Sequence, residues 1–160
     1  MDTKTLLTSL VEDKLADSSA FVTKWAGHFS RDNATYLDEK KYCEDNALNV
    51  NFAKCEDDSA THAYTMDEIK KADCADFIFT IYEPTDSTGH NKGFTFNNPK
   101  YKDAFRTEDA YALEAINAIK ARATYEKEDW LIIITADHVG IGTGHGGESI
   151  QERMTFAAVL

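Results

Sequence analysis

The side chains in this sequence that can bind a divalent metal are concentrated in three short segments. They are Asp86-Ser87-Thr88-Gly89-His90, Asp137-His138 and Gly144-His145-Gly146-Gly147. The first follows the apolar run 76–82, and the second follows the apolar run 130–136. Ligands of open α/β sheets bind in the crevice outside the carboxyl ends of the strands. Two carboxylates and three imidazoles arriving there together predict a metal site.

Asp86, His90 and His145 form one candidate ligand set. The first two are four residues apart in a segment opened by Pro84 and turned by Gly89. We expect that segment to be a loop that folds both side chains onto one centre. The glycines on either side of His145 let its backbone approach a ligand closely. One carboxylate and two imidazoles suit zinc and leave the fourth position for water or substrate.

Asp137 and His138 are candidate ligands of a second metal. Just past a strand end the backbone turns, and both side chains can then reach one centre. Two metals would clamp the attacking and leaving oxygens of a phosphoryl transfer. Each motif also has an ordinary interpretation: a turn Asp with a surface His, a cap or salt bridge, and a flexible glycine loop. The joint occurrence of the three motifs at strand ends favours the metal site.

The elements that must position these residues alternate between helix and strand. Hydrophobic periodicity predicts helices over 4–16, 33–45, 65–74 and 100–122, and strands over 20–25, 49–53, 76–82, 130–136 and 154–159. The acidic stretch 56–59 is expected to be a solvated loop, and Phe94 and Phe96 are expected to pack the loop after the first motif. The strands at 76–82 and 130–136 are continuous apolar runs, which is typical of parallel strands covered on both faces. With the helix between them they predict a right-handed βαβ crossover. The predicted fold class is α/β, with a mostly parallel sheet flanked by helices.

Composition limits the classes of function. At 160 residues the chain fits a single domain, 1–160, with its own core. The net charge of −11 argues against a nucleic-acid polymer or an anionic membrane as partner, although bound cations can still attract phosphate. No stretch is long and apolar enough for a membrane span, and the first residues lack the order of a signal peptide, so the localisation stays open. Three cysteines without a CxxC spacing are expected to be free thiols.

The motifs together resemble the alkaline phosphatase superfamily, and most closely its type I phosphodiesterase/nucleotide pyrophosphatase branch. The resemblance covers about 74–160 and includes the apolar strand before Asp137 as well as the three motifs. It implies that Asp86, His90 and His145 hold one zinc and that Asp137 and His138 hold the second. Manganese is an alternative metal, although imidazole ligands favour zinc. The implied activity is hydrolysis of phosphate esters or nucleotides through a Thr or Ser nucleophile.

Two departures from the family pattern shape our expectation. Family members open with a strand that ends in an Asp ligand of the second metal, followed by the Thr or Ser nucleophile. We identify neither here, and therefore name no catalytic residue. The sequence is expected to be the C-terminal portion of an alkaline phosphatase-like catalytic domain, incomplete at its N-terminal side. We expect one zinc to bind well, little or no phosphodiester hydrolysis, and self-association through an exposed sheet edge. The alternative is a non-catalytic zinc-binding or interaction module.

Overall fold

The structure is a computed structural model that describes residues 4–29 and 36–160. The chain divides into two compact units, Met1–Tyr82 and Glu83–Leu160. The first unit contains three helices, α1 (Leu6–Glu12), α2 (Leu37–Asp45) and α3 (Asp58–Lys70), and three strands, β1 (Ser19–Thr23), β2 (Val50–Lys54) and β3 (Phe77–Ile81). The prediction of a single domain over 1–160 stays a prediction.

The first unit is built on a three-stranded parallel sheet of order β2-β1-β3. All five residues of the central strand β1 are buried. At its midpoint Phe21 lies in register with Phe52 and Phe79 on the neighbouring strands. Strands that pair on both sides and are covered on both faces are rich in apolar residues, and Ala20, Phe21 and Val22 form the apolar centre of β1. The α/β class with a parallel sheet flanked by helices is confirmed.

A buried glutamate fastens α1 to α2. Glu39 is 1% exposed, and its Oε1 accepts hydrogen bonds of 2.8 Å from both the amide and the hydroxyl of Thr5. Thr5 is the N-cap residue of α1, whose first amides have no partner within the helix. The carboxylate of Glu39 therefore supplies from another helix the cap that the local sequence of α1 lacks.

The start of α3 corrects one sequence expectation. The acidic stretch 56–59 was expected to be a solvated loop, with a helix beginning at Thr65. Instead α3 begins at Asp58, and the side chain of Asp57 accepts a hydrogen bond of 2.8 Å from the amide of Ala60. Thr65 lies inside the helix, and its hydroxyl donates back to the Thr61 carbonyl oxygen. Asp is among the strongest N-cap residues, and this signal outweighed the S/T-x-x-E spacing at Thr65.

Helix α2 begins later than predicted. Its first residue is Leu37, whereas the predicted helix began at residue 33. Residues 33–35 lie outside the described residues. Cys43 is buried on α2, and none of the three cysteines forms a disulfide, as expected.

The second unit contains three helices and two short strands. They are α4 (Pro84–Lys92), α5 (Pro99–Lys120), β4 (Ile133–Thr135), α6 (Ile150–Arg153) and β5 (Ala157–Val159). Helix α5 agrees closely with the predicted helix 100–122. On this helix Ile119 is buried, whereas Phe105 is 42% exposed. No helix in the described ranges is both long and apolar enough to span a membrane.

The pairing of β4 differs from the parallel pairing that its composition predicts. Strand β4 pairs antiparallel with β5 in a two-stranded sheet, with Ile134 in register with Ala158. A continuous apolar run indicates a strand, but it contains no information on the direction of the partner. The helix and both strands of the predicted βαβ unit exist, and the crossover that would join strands of the two units stays a prediction.

Candidate metal centre

Helix α4 positions the first two candidate ligands. The segment 86–90 was expected to be a loop, but it is helical. Pro84 lies in the first turn of this helix, where the fixed φ and the missing N–H of proline are tolerated. Residues four apart share one face of a helix. Asp86 Oδ1 consequently lies 3.4 Å from His90 Nε2. A helical turn does here what we expected a loop to do.

The third candidate ligand arrives on the loop after β4. Ile141 and Gly144 exchange backbone hydrogen bonds and close a tight turn just before His145. The amide of Phe94, beyond the end of α4, donates to the Gly142 carbonyl oxygen at 2.8 Å. His145 Nε2 lies 3.0 Å from His90 Nε2 and 3.5 Å from Asp86 Oδ1. Three potential ligand atoms thus face one another across a space the size of an ion.

The His90 ring is held in the tautomer that a metal ligand needs. Its Nδ1 lies 3.0 Å from the Thr143 carbonyl oxygen, which can only accept a hydrogen bond. We therefore assign the proton to Nδ1, which leaves the lone pair of neutral His90 on Nε2. Histidines that bind metals commonly donate their other N–H to a carbonyl or carboxylate in this way.

Two buried polar atoms at this site lack a hydrogen bond. Asp86 Oδ1 and His138 Nδ1 are both inaccessible to solvent, and neither has a hydrogen-bond partner among the residues described. An unpaired buried polar atom is costly, and it calls for an explanation such as a bound ion. A carboxylate oxygen without a donor, facing two imidazole nitrogens, fits a divalent cation. The chemistry of this donor set is suited to zinc.

His138 lies beside the first three residues. Its ring stacks on that of His145, with centroids 3.7 Å apart and an interplanar angle of 20°. One ligand atom each from Asp86, His138 and His145 falls within 4.8 Å of the others. Four of the five residues singled out from the sequence are therefore neighbours in space.

Asp137 occupies a different position from these four residues. Its side chain is 88% exposed, and its Oδ2 lies 3.6 Å from His138 Nε2. Its Oδ1 accepts a hydrogen bond of 3.0 Å from the amide of His138. Asp137 is thus close to His138, at the edge of the cluster. The roles of all five residues as metal ligands stay predictions.

Phe94 supports the cluster from beneath. Its ring lies 5.5 Å from that of His90 and 6.1 Å from that of His145, edge to face in both cases. A Cβ added at Gly89 or at Gly140 would lie 2.3 or 2.4 Å from this ring. The two glycines therefore make room for the Phe94 ring between the helix and the loop. The expectation that the Phe94 side chain packs in this region is confirmed.

We expect Gly89→Ala to destabilise the protein. Alanine normally stabilises a helix by about 0.5–1 kcal/mol relative to glycine. Here the new methyl group would collide with the Phe94 ring, which packs against Gly140 on its other side. Such overpacking costs about 1–3 kcal/mol. Urea unfolding should therefore show a lower midpoint for Gly89→Ala. Ser87→Ala, on an exposed position of the same helix, adds helix propensity alone and should not lower it. A Gly89→Ala variant as stable as Ser87→Ala would contradict the packing role of Phe94.

Glu152 is a residue of this region that the sequence interpretation missed. Its carboxylate accepts hydrogen bonds from the Ser149 hydroxyl at 2.6 Å and from the Gly147 amide at 3.0 Å. The hydrogen bond from Ser149 lowers the pKa of the Glu152 carboxyl, and the bond from Gly147 lowers it to a smaller extent. The signal for it was present, because Ser149 and Glu152 have the S-x-x-E spacing of a capping box.

Comparison with known proteins adds an independent finding. The family model for type I phosphodiesterase/nucleotide pyrophosphatase matches residues 8–152. The match covers most of the chain, including both units and all five candidate ligands. Searches of curated proteins and of solved structures gave no match. The chain therefore belongs to the type I phosphodiesterase/nucleotide pyrophosphatase family, part of the alkaline phosphatase superfamily.

Proposed function

We propose that this chain takes part in metal-dependent hydrolysis of phosphate esters, with a phosphodiester or a nucleotide as substrate. Asp86, His90 and His145 hold one zinc, and Asp137 and His138 contribute to a second. Manganese is the alternative metal. Family membership supports the reaction class, and the arrangement of side chains supports the assignment of the ligands.

One observation carries the proposal. Asp86 Oδ1 is buried without a hydrogen-bond donor, although Nε2 of His90 and Nε2 of His145 lie only 3.4 and 3.5 Å away. Asp86 Oδ1 and the lone pair assigned to His90 Nε2 repel each other unless a proton or a cation lies between them. A divalent cation removes this repulsion and can bind His145 Nε2 at the same time. An ordinary turn Asp would keep its carboxylate oxygens in contact with water.

The charge of the protein favours phosphate binding through a bound metal. At a net charge of −11, the chain as a whole repels phosphate groups. Bound zinc supplies the local positive charge and, as a Lewis acid, polarises a phosphoryl oxygen. His90 is oriented for its part by the hydrogen bond from Nδ1 to Thr143. The side chain of Asp86 contributes the one negative charge of the first ligand set.

A second candidate function is a zinc-binding module without hydrolytic activity. The exposure of the Asp137 side chain, at 88%, favours it. An exposed carboxylate and one imidazole form a poorer site than three converging donors, because the metal must first immobilise the free side chain. Tight binding at the first site and weak binding at the second would suit this alternative.

Zinc titration combined with an activity assay tests the proposal. We expect chelator-treated protein to bind zinc at the first site with submicromolar affinity, measured against a chromogenic zinc indicator. The same preparation should hydrolyse bis-p-nitrophenyl phosphate only slowly, and only when zinc is present, because we identify no Thr or Ser nucleophile in this chain. Zinc binding without any turnover would favour the non-catalytic module. Failure to bind zinc or manganese would contradict both candidates.

Asp137→Asn separates the two metal sites. This variant keeps the size of the side chain and should leave the first zinc in place, while lowering both binding of a second zinc and any hydrolysis. Asp129→Asn removes the same charge from an exposed position of the preceding segment and is the matched control. Loss of the first zinc in Asp137→Asn would contradict the division of ligands.

A further inference from the structure

We propose that Glu152 is a positioning residue that holds the loop carrying His145 in its metal-binding arrangement before the metal arrives. The inference rests on the proposed function. It adds a residue that binds neither metal nor substrate and acts through the backbone beside a ligand. The evidence is a set of hydrogen bonds that connects the segments on both sides of the cluster.

The side chain of Glu152 fastens the loop that follows His145. Its Oε1 accepts from the amide of Gly147 at 3.0 Å, and its Oε2 accepts from the hydroxyl of Ser149 at 2.6 Å. The Glu152 amide in turn donates to the Ser149 hydroxyl at 3.2 Å. Gly147 lies only two residues after His145, so the carboxylate fixes the backbone immediately next to a candidate ligand.

The backbone of Glu152 reaches the other candidate metal segment. Its carbonyl oxygen accepts a hydrogen bond of 3.4 Å from the amide of Val139, the residue after His138. One residue thus contacts both segments whose imidazoles stack on each other, those of His138 and His145. The contact to Val139 needs no side chain, whereas the contacts to Gly147 and Ser149 need the carboxylate.

The loop around His145 requires such support. It contains three glycines in four residues, Gly144, Gly146 and Gly147, and Gly146 has a φ of +89°. Glycine-rich segments lose the most conformational freedom when they are ordered. A loop already held by Glu152 loses less of that freedom when a metal binds, so the metal binds more tightly.

The geometry at Gly147 provides a way to displace the carboxylate without changing any charge. A Cβ added at Gly147 would lie 2.6 Å from Oε2 and 2.9 Å from Oε1 of Glu152. The φ of Gly147 lies outside the left-handed region, so alanine fits the backbone there. Gly147→Ala should therefore push the carboxylate away from the loop and have the same effect as Glu152→Ala.

Zinc affinity of four variants tests the proposal. Loss of a group that orients a metal ligand typically lowers metal affinity by about 10- to 100-fold, and we expect this for Glu152→Ala and Gly147→Ala. Glu152→Gln keeps one side-chain oxygen that can accept from Gly147, so its loss should be smaller. Glu148→Gln is the matched control, because it removes the same charge from an exposed position of the same loop. It should bind zinc as the wild-type protein does.

Hydrogen exchange in the metal-free protein gives a readout that does not depend on zinc. The Gly147 amide should exchange faster in Glu152→Ala than in the wild type, while the Val139 amide, bound to the backbone carbonyl, should change little. Unchanged exchange at Gly147, unchanged zinc affinity in Glu152→Ala, or an equal loss in Glu148→Gln would each overturn the proposal. Zinc binding by the wild type judges the proposed function separately, because the exchange measurement needs no metal.

Discussion

Asp86→Asn should abolish tight zinc binding while leaving the metal-free protein as stable as the wild type, or more stable. The variant removes the one negative charge of the first ligand set and retains its shape. We expect the affinity for zinc to fall by more than the roughly 100-fold that marks the upper range for groups that merely orient a ligand. The loss of a direct ligand is more severe than the loss of its support.

The opposite effect on the metal-free protein follows from the hydrogen bonds. Asp86 Oδ1 is buried without a donor, and its neighbours are the Nε2 atoms of His90 and His145. An asparagine amide could donate to one of these nitrogens, which would satisfy a polar group that is unpaired in the wild type. A carboxylate retained for structural reasons would show the reverse, with a less stable variant.

Thermal unfolding with and without zinc measures both effects. Zinc at about 100 times its dissociation constant stabilises a folded protein by about 2.7 kcal/mol, and Asp86→Asn should lose this stabilisation. Asp103→Asn removes the same charge from a largely exposed position on α5 and is the control. A zinc-induced shift of the unfolding temperature that persists in Asp86→Asn would contradict the assignment of Asp86 as a ligand.

Phe21→Ala should have the largest effect on stability in the first unit. Phe21 is fully buried at the centre of β1, and its ring lies 4.3 Å from that of Tyr36 and 5.4 Å from that of Phe79. Removing a buried Phe ring costs about 3–5 kcal/mol, which combines the lost burial and the cavity left behind. This is a large fraction of the roughly 5–15 kcal/mol by which a domain is stable.

A fluorescence experiment can follow the first unit by itself. The chain has two tryptophans, of which Trp25 belongs to the first unit and Trp130 to the second. In a Trp130→Phe background, Trp25 alone reports urea unfolding, and Phe21→Ala should lower its midpoint strongly. Phe96→Ala removes the same ring from a residue that is 54% exposed in the second unit, and its effect on this midpoint should be small. Similar midpoints for the two variants would contradict the central position of Phe21.

The elements that local patterns specify were predictable. Strands β1, β2 and β3 lie close to the predicted ranges, and so does the long helix α5. Their apolar residues recur with the periods of strand and helix, and these periods depend on backbone geometry alone. The α/β class with a parallel sheet was also predictable, because apolar strands alternate with helices along the chain. The family followed from the motifs around Asp86, Asp137 and His145.

The errors occurred where two local signals competed or where the partner was distant. Helix α3 has two cap signals, and only the structure shows that Asp57 prevails over the spacing at Thr65. The segment after Pro84 contains turn-forming residues, yet it is helical. Strand β4 has the composition of a buried parallel strand, yet it pairs antiparallel with β5. The first two cases are decided by local residues, Asp57 and Pro84, and the third by a strand distant in sequence.

The sequence by itself determined which residues can bind a metal, because ligand chemistry is a property of residue type. It also determined the approximate positions of the strands and of the long helix α5, since hydrophobic periodicity depends on neighbours along the chain. Only the tertiary structure decided that His138 stacks on His145, that Thr143 sets the tautomer of His90 and that Asp86 Oδ1 lacks a donor. The first two contacts join residues 7 and 53 positions apart, and such contacts depend on how the chain folds back on itself rather than on any local pattern.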